Sequence, residues 1–375
     1  MLLFLLLVFL PTVPIETEVV KTLADCPGFF VNDTPPEIPN ILVGGNISNK
    51  TRYKVICQTF EDIKRFLTLY DTENKIPVFS AYRFTGAEEG GKRPGSPWKI
   101  EPQLDSNKDD KNMREQKSDT LRNQATNSDY NNNQKYHRGH LYPNSHVSDW
   151  NAKLSTFTLT NAVPQVESFN CGNWAQLEKW TKCYMEENCR NANGQVEAFV
   201  VTGAEPGNSK LNNKINIPSR MWSAFCCYNR DKKVWLFKAY WGDNEVKGQV
   251  RESSYKEMEH KFGIKVFPES LCSFQNIMDP SRTNSCDKEF PLQLEVITDT
   301  APPSTTHKTS PSEKTSFPPN TTPTSPMTPK TTTTLAAATK TTQPTTITSE
   351  SASVINQEDC EEDEETNKKR WRSWD

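Results

Sequence analysis

A break in composition at Val296 sets the strongest limit on what this chain folds into. Beyond it Thr, Ser and Pro dominate, as in 318–329 and 331–346, and such a stretch has too little apolar surface to offset the conformational entropy lost on folding. The composition is that of an O-glycosylated stalk or of a disordered spacer. An acidic run follows at 358–365, interrupted only by Cys360, and then a basic, aromatic end at 368–374. The folded core is therefore expected ahead of Val296, with 296–375 as tail.

At the other end, residues 1–10 are almost wholly apolar but too few to span a bilayer, and they give way to Pro11, Pro14, Glu16 and Glu18. This pattern predicts a signal peptide over 1–17 and a secreted, extracellular protein. No hydrophobic stretch follows the tail, so no membrane anchor is expected there. The ten cysteines agree with export, because chains kept in reducing cytosol rarely carry so many outside metal sites. Cys183 and Cys189 have five residues between them and Cys226 adjoins Cys227, and neither spacing makes the paired clips of a structural zinc. Disulfides are expected, their pairing open. Four glycosylation triplets begin at Asn32, Asn46, Asn49 and Asn320.

The tail from Ile297 holds 8 Lys/Arg and 11 Asp/Glu, which is the whole net charge of −3, and the remaining 36 of each sign cancel. A body that is neutral overall cannot hold nucleic acid by general phosphate neutralisation. A nuclease built on it would depend on a bound cation and on local arginines.

Runs rich in β-branched and aromatic residues predict strands at 76–84, 155–161, 197–202 and 234–241. Helical spacing appears at 174–185, and at 253–262 ahead of the turn-forming Gly263. The expected fold class is α+β, with 18–60 as an N-terminal extension and 61–295 as the main domain. The polar stretch 105–134 reads as an exposed excursion. Period-2 alternation would send Cys226 and Cys227 to opposite faces of a strand, one inward and one outward.

The densest polar cluster is Tyr136-His137-Arg138-Gly139-His140-Leu141, with two of the five histidines flanking an Arg-Gly pair. It reads as a loop in which Gly139 permits a sharp turn. Downstream come Asn161, Val163-Pro164-Gln165, Phe169-Asn170-Cys171-Gly172-Asn173-Trp174 and Leu177-Glu178. His146, His260 and His307 stand outside this pattern and read as surface residues.

In that order and spacing the pattern resembles the DNA/RNA non-specific endonuclease family, over roughly 76–267. The N-terminal piece, with Cys26-Pro27-Gly28-Phe29-Phe30 and Thr34-Pro35-Pro36, is similar to a narrower vertebrate group within it. The resemblance implies a ββα-metal nuclease domain with a central antiparallel sheet, cutting DNA and RNA without sequence preference. It also implies Mg²⁺ or Mn²⁺ as cofactor and nucleic acid as partner, bound through its phosphates. His140 would be the general base, since a neutral imidazole takes a proton near pH 7. Asn170 would be the one direct metal ligand, its amide oxygen suited to a largely hydrated hard cation. Arg138 would face the phosphate. Glu178 would hold metal-bound waters or orient Arg138, and Asn161 would fix the histidine or the substrate. Arg93, ahead of Trp98-Lys99, is similar to a phosphate-binding arginine of the family.

The family pattern begins with aspartate where this chain has His137. If that position orients Arg138 or His140, an imidazole does so less well, and when protonated it adds positive charge beside the base and the cation. Two rivals follow: a nuclease-fold binding or signalling protein that has lost catalysis, and a zinc-binding adhesion module using His137 and His140. Oligomeric state is not legible. If the tail adds no core, a chain stopped after Val296 retains the cooperative unfolding and the nuclease activity of the full chain, as thermal denaturation and plasmid cleavage will show; loss of cooperativity would refute the boundary.

Overall fold

The computed structural model describes residues 18–292 apart from 88–93, 96, 118–119, 148 and 273–284. The expected signal peptide and tail, Asn320, His307 and Arg93 lie outside the described residues. Ten strands in chain order position the site: β1 Val19–Val20, β2 Tyr53–Phe60, β3 Ile63–Asp71, β4 Ile76–Phe84, β5 Tyr136–His140, β6 Ala162–Val166, β7 Ala198–Glu205, β8 Arg220–Asn229, β9 Val234–Asp243 and β10 Val250–Ser253. Eight of them form one antiparallel sheet in the order β1-β2-β3-β4-β7-β8-β9-β10, while β5 and β6 pair only with each other. The fold is α+β, as expected. The two residues that link β2 to β3, Glu61 and Asp62, both have positive φ, 52° and 60°, which is the backbone twist a tight hairpin needs.

The strands read as nearly continuous apolar runs because both faces of the sheet are covered. Tyr82, Phe84, Val200, Phe225 and Tyr240 pack on one side with Trp180 and Leu177 of the helix Ala175–Asn188, called α2 here since Trp150–Thr156 precedes it as α1. Phe79, Ala81, Val201, Ala224 and Phe237 pack on the other side with Leu23, Phe30 and Leu42 near the N-terminus and with Met258 of α3, Tyr255–Phe262. Helix α3 begins with Ser254 and Glu257 capping each other's backbone and ends at Gly263, whose φ of 68° suits the left-handed stop. Strand β2 lies in the main sheet, and Cys57 on it is bonded to Cys26.

Three expectations change here. Cys226 and Cys227 do point to opposite faces, but neither is outward: both are buried, Cys227 bonded to Cys189 and Cys226 to Cys272. The run 155–161 is not a strand. It closes α1, whose Asp149 cap accepts from the Ala152 N–H, and continues into the turn Leu159–Asn161. Its β-branched threonines suggested a strand, yet the Thr158 and Thr160 hydroxyls donate to the buried carboxyl of Glu101, at 2.7 and 3.1 Å. The stretch 105–134 is exposed only in part, because Met113, Ala125 and Tyr130 enter the core and the buried Asp129 is paired with Lys214.

Gly203 sits in the middle of β7, where an added Cβ would stand 2.3 Å from the Trp222 ring and 2.7 Å from the Val78 carbonyl oxygen. Because one obstacle is backbone, Gly203→Ala is expected to destabilise the protein by about 1–3 kcal/mol. Chemical denaturation measures this, and an unchanged midpoint would show that the sheet has room.

Candidate active site

Strand β5 holds the cluster that the sequence placed on a loop. It is zipped to β6 in the register His140↔Ala162, Gly139↔Val163, Arg138↔Pro164 and His137↔Gln165. Gly139 is therefore not at a turn. Its small size is needed because the Gln165 side chain crosses it, so that a Cβ would stand 2.0 Å from Gln165 Oε1.

Side chains alternate along a strand, so Arg138 and His140 share one face and His137 takes the other. The contacts agree. The His140 ring lies 4.8 Å from Trp98 and 4.8 Å from Phe157, and the Arg138 guanidinium lies over the rings of Trp98 at 5.8 Å and Tyr130 at 5.0 Å. Arg138 also donates to the Asn127 carbonyl at 3.3 Å. The partly exposed excursion thus supplies a wall of the site through Asn127 and Tyr130. On the opposite side His137 Nδ1 is 3.6 Å from Cys171 Sγ, and its Nε2 is 3.9 Å from Glu167. The expectation that residue 137 orients the Arg138 side chain does not fit this geometry.

Asn161 anchors the hairpin from beneath. It is fully buried, and its Oδ1 accepts from Ser80 Oγ at 2.9 Å and the Tyr142 N–H at 3.0 Å, while Nδ2 donates to the Tyr142 and Thr156 carbonyls at 3.0 Å each. All four hydrogen-bonding capacities of the amide are thereby filled by protein.

Asn170 opens an irregular turn, Asn170–Trp174, that feeds directly into α2. Within it Gly172 leaves helical geometry at ψ −114°. Asn173 pins the turn by donating to the Gly248 carbonyl at 2.8 Å. Glu178 lies in the first turn of α2 and is half-buried. Its backbone carbonyl takes a hydrogen bond from His146 Nε2 at 2.8 Å, and His146 Nδ1 is 2.8 Å from the Tyr82 hydroxyl.

His146 is thus a correction as well: it is buried at 3% exposure rather than on the surface. A carbonyl only accepts, so Nε2 carries the proton and Nδ1 accepts from Tyr82. Burial pushes the ring down to about 4, keeping it neutral as a strut between β4 and the start of α2. Trp98, Tyr130 and His146 were missed in the sequence. The aromatics gave no motif, and a lone histidine carries no sign of burial.

Among the described residues, one group of three or more His, Cys, Asp or Glu brings its ligand atoms within 4.8 Å of one another: Cys183, Glu187 and Cys286. Its two sulfurs are bonded to each other, so it is no zinc site. A hard-cation site at Asn170 would rest on oxygen donors, the Asn170 amide and the Glu178 carboxylate, with water and substrate filling the rest.

Residues 44–270, more than half of the chain, match the sequence model described as DNA/RNA non-specific endonuclease. The chain belongs to this family. Two curated relatives are similar to it, both named endonuclease domain-containing 1 protein. The human one is 33% identical over 211 residues, 54% of this chain and 39% of that protein, and the mouse one 31% identical over 212 residues, 54% and 38%. The matched region therefore spans well under half of those relatives. In the crystal structure of the EndoG/EndoGI complex, one chain is similar at 15% identity and a TM-score of 0.42, covering 55% of this chain and 86% of that one. Among the described residues no helix is long and apolar enough to cross a membrane.

The buried His146 makes a pH-dependent prediction. Its folded value near 4 is depressed from 6.5. Between those values the unfolded chain binds a proton that the folded one refuses, so stability falls as pH drops from 6.5 to 4, by about 3 kcal/mol in full. Gln at this position can keep both hydrogen bonds without titrating. The melting temperature of His146→Gln should therefore fall less than that of the parent across this window, and parallel curves would remove His146 from this role.

Proposed function

We infer that the β5–β6–α2 unit is the catalytic site of a cation-dependent, secreted endonuclease that hydrolyses phosphodiester bonds in DNA and RNA. The observation that carries this reading is the placing of Arg138 and His140 on one face of β5, both against the Trp98 ring. A phosphate held by the guanidinium would then lie next to the imidazole.

Arg138 binds and orients the scissile phosphate by charge-assisted hydrogen bonds, its plane steadied by Tyr130 and Trp98. His140, gripped between Trp98 and Phe157, accepts a proton from the attacking water. Asn170 would offer its amide oxygen to the cation, and the Glu178 carboxylate would accept hydrogen bonds from water around it. When bound, Mg²⁺ or Mn²⁺ supplies positive charge to the phosphate oxygens as negative charge builds on them. Asn161 acts at one remove, fixing the hairpin on which Arg138 and His140 stand. Arg93 remains a proposed phosphate contact. Recognition through phosphates carries no base information, which agrees with cutting that is indifferent to sequence. Support for export comes from the disulfides and from the exposure of Asn32, Asn46 and Asn49.

His140→Ala is expected to lower the rate of plasmid and RNA cleavage by two to four orders of magnitude, on the order of what general-base loss costs, with the melting curve nearly unchanged. Chelation of divalent cations should abolish cleavage by the parent, and added Mg²⁺ should restore it. Full activity in the alanine variant would remove His140 from the reaction. A parent protein that binds nucleic acid but never cuts it would favour the binding-protein reading.

A further inference from the structure

A cavity of about 180 Å³ lies on the face of the main sheet away from α2. Val78 of β4 and Trp222 of β8 form its sheet side, and Ile38, Ile41, Phe262 and Ile264 face them from the N-terminal segment and the end of α3. Voids much larger than a water are few in folded proteins, because neighbouring side chains close on them. Here the walls are fastened in place. Glu37 and Lys265 exchange two backbone hydrogen bonds, at 2.8 and 3.0 Å, which tie the N-terminal wall to the chain after α3. Pro39 and Pro77 in the lining are rigid rings, and Trp222 is wedged over Gly203.

The charged groups of the lining are equally fixed. Asp71 accepts from Arg52 Nε at 2.9 Å, Arg52 Nη2 at 2.6 Å, the Glu73 and Asn74 N–H groups at 3.0 and 3.2 Å, and Asn74 Nδ2 at 2.8 Å. Arg52 Nη1 is paired with Glu73 at 2.8 Å, and Glu205 with Arg220 at 3.1 Å. The cavity is thus formed before any ligand arrives, so binding requires little ordering of the protein.

We propose that this cavity is a binding site for a neutral, single-ring aromatic molecule, separate from the nuclease site. Its size sets the first limit: an apolar cavity of roughly 150 Å³ stays dry and takes up benzene. The rings of Trp222, Phe262 and Tyr53 in the lining favour an aromatic occupant, which meets them edge-on or offset-stacked. Charge sets the second limit. The cation of the lining, Arg52, is already held by two carboxylates, and Asp71 and Glu205 also line the cavity. An anionic ligand would lose its hydration there and meet like charge, so nucleotides and aromatic carboxylates are excluded. A hydroxyl on the ring has Tyr53 and Glu205 to meet.

The test is a calorimetric titration of the full-length protein with phenol and, separately, with benzoate, its anionic counterpart. Phenol should bind saturably at one site per chain, and benzoate at least about tenfold more weakly, because a buried charge without a partner is costly. Ile41 is half-buried at the wall, so Ile41→Trp fills the cavity from its edge and should weaken phenol binding by about tenfold or more while the melting curve without ligand stays cooperative. Ile41→Ala widens the cavity and should bind 2-naphthol about tenfold more tightly than the parent does, which keeps the location of the site testable if the tryptophan variant fails to fold. Absence of saturable phenol binding to the parent overturns the proposal, as does benzoate binding as tight as phenol. Phenol binding unchanged in a folded Ile41→Trp, or 2-naphthol binding unchanged in Ile41→Ala, places the ligand elsewhere and overturns it too.

Discussion

The candidate site depends on a single buried amide. Asn161 reaches Ser80 on the main sheet, the backbone N–H and carbonyl of Tyr142 and the Thr156 carbonyl, and so ties the chain just after β5, the end of α1 and β4 at one point. Hydrogen bonds in this setting are costly to leave unmade, because no water replaces a lost partner. The network continues below it: Ser80 pairs with Thr68, Thr68 with Gln58, and Gln58 with Thr160, which meets Glu101. Burial pushes the Glu101 carboxyl up to about 7. A polar layer of this kind specifies register in a way that apolar packing does not. A slip of one residue along β5 would move Arg138 and His140 to the wrong face.

Two routes carry position from this layer to the chemistry. Arg138 and His140 inherit theirs from the hairpin and are then walled by Trp98, Phe157 and Tyr130. Asn170 and Glu178 inherit theirs from α2, whose start is fixed to β4 by His146 and to the loop after β9 by Asn173. On the proposed reading, a site assembled on a strand pair and one helix would need few protein ligands for a cation, since the elements hold the donors still. This agrees with a body that shows no clustered basic charge in its composition.

How much of this was legible in the sequence varied with the physical cause. Strand β4 was readable to its ends, since an uninterrupted β-branched and aromatic run has few alternatives at that length. The family was readable through the joint order of the motif residues. What failed were inferences that needed the third dimension. Thr158 and Thr160 alternate with Phe157 and Leu159 as strand residues do, but their hydroxyls face a buried carboxyl that lies 57 to 59 positions away. Gly139 suggested a turn because glycine usually marks one; here the cause is a neighbour's side chain. His146 had no local sign of the Tyr82 hydroxyl that makes burial tolerable.

The adjacent Cys226 and Cys227 have a mechanical meaning. One peptide unit of β8 is bolted to the turn after α2 through Cys189 and to the opposite layer through Cys272. Neither covering layer can peel away from the sheet on its own at that point, so the partial openings by which proteases gain entry to layered proteins are confined to the rims. Such a rivet lengthens the lifetime of the folded chain even where the equilibrium between folded and unfolded chain hardly changes.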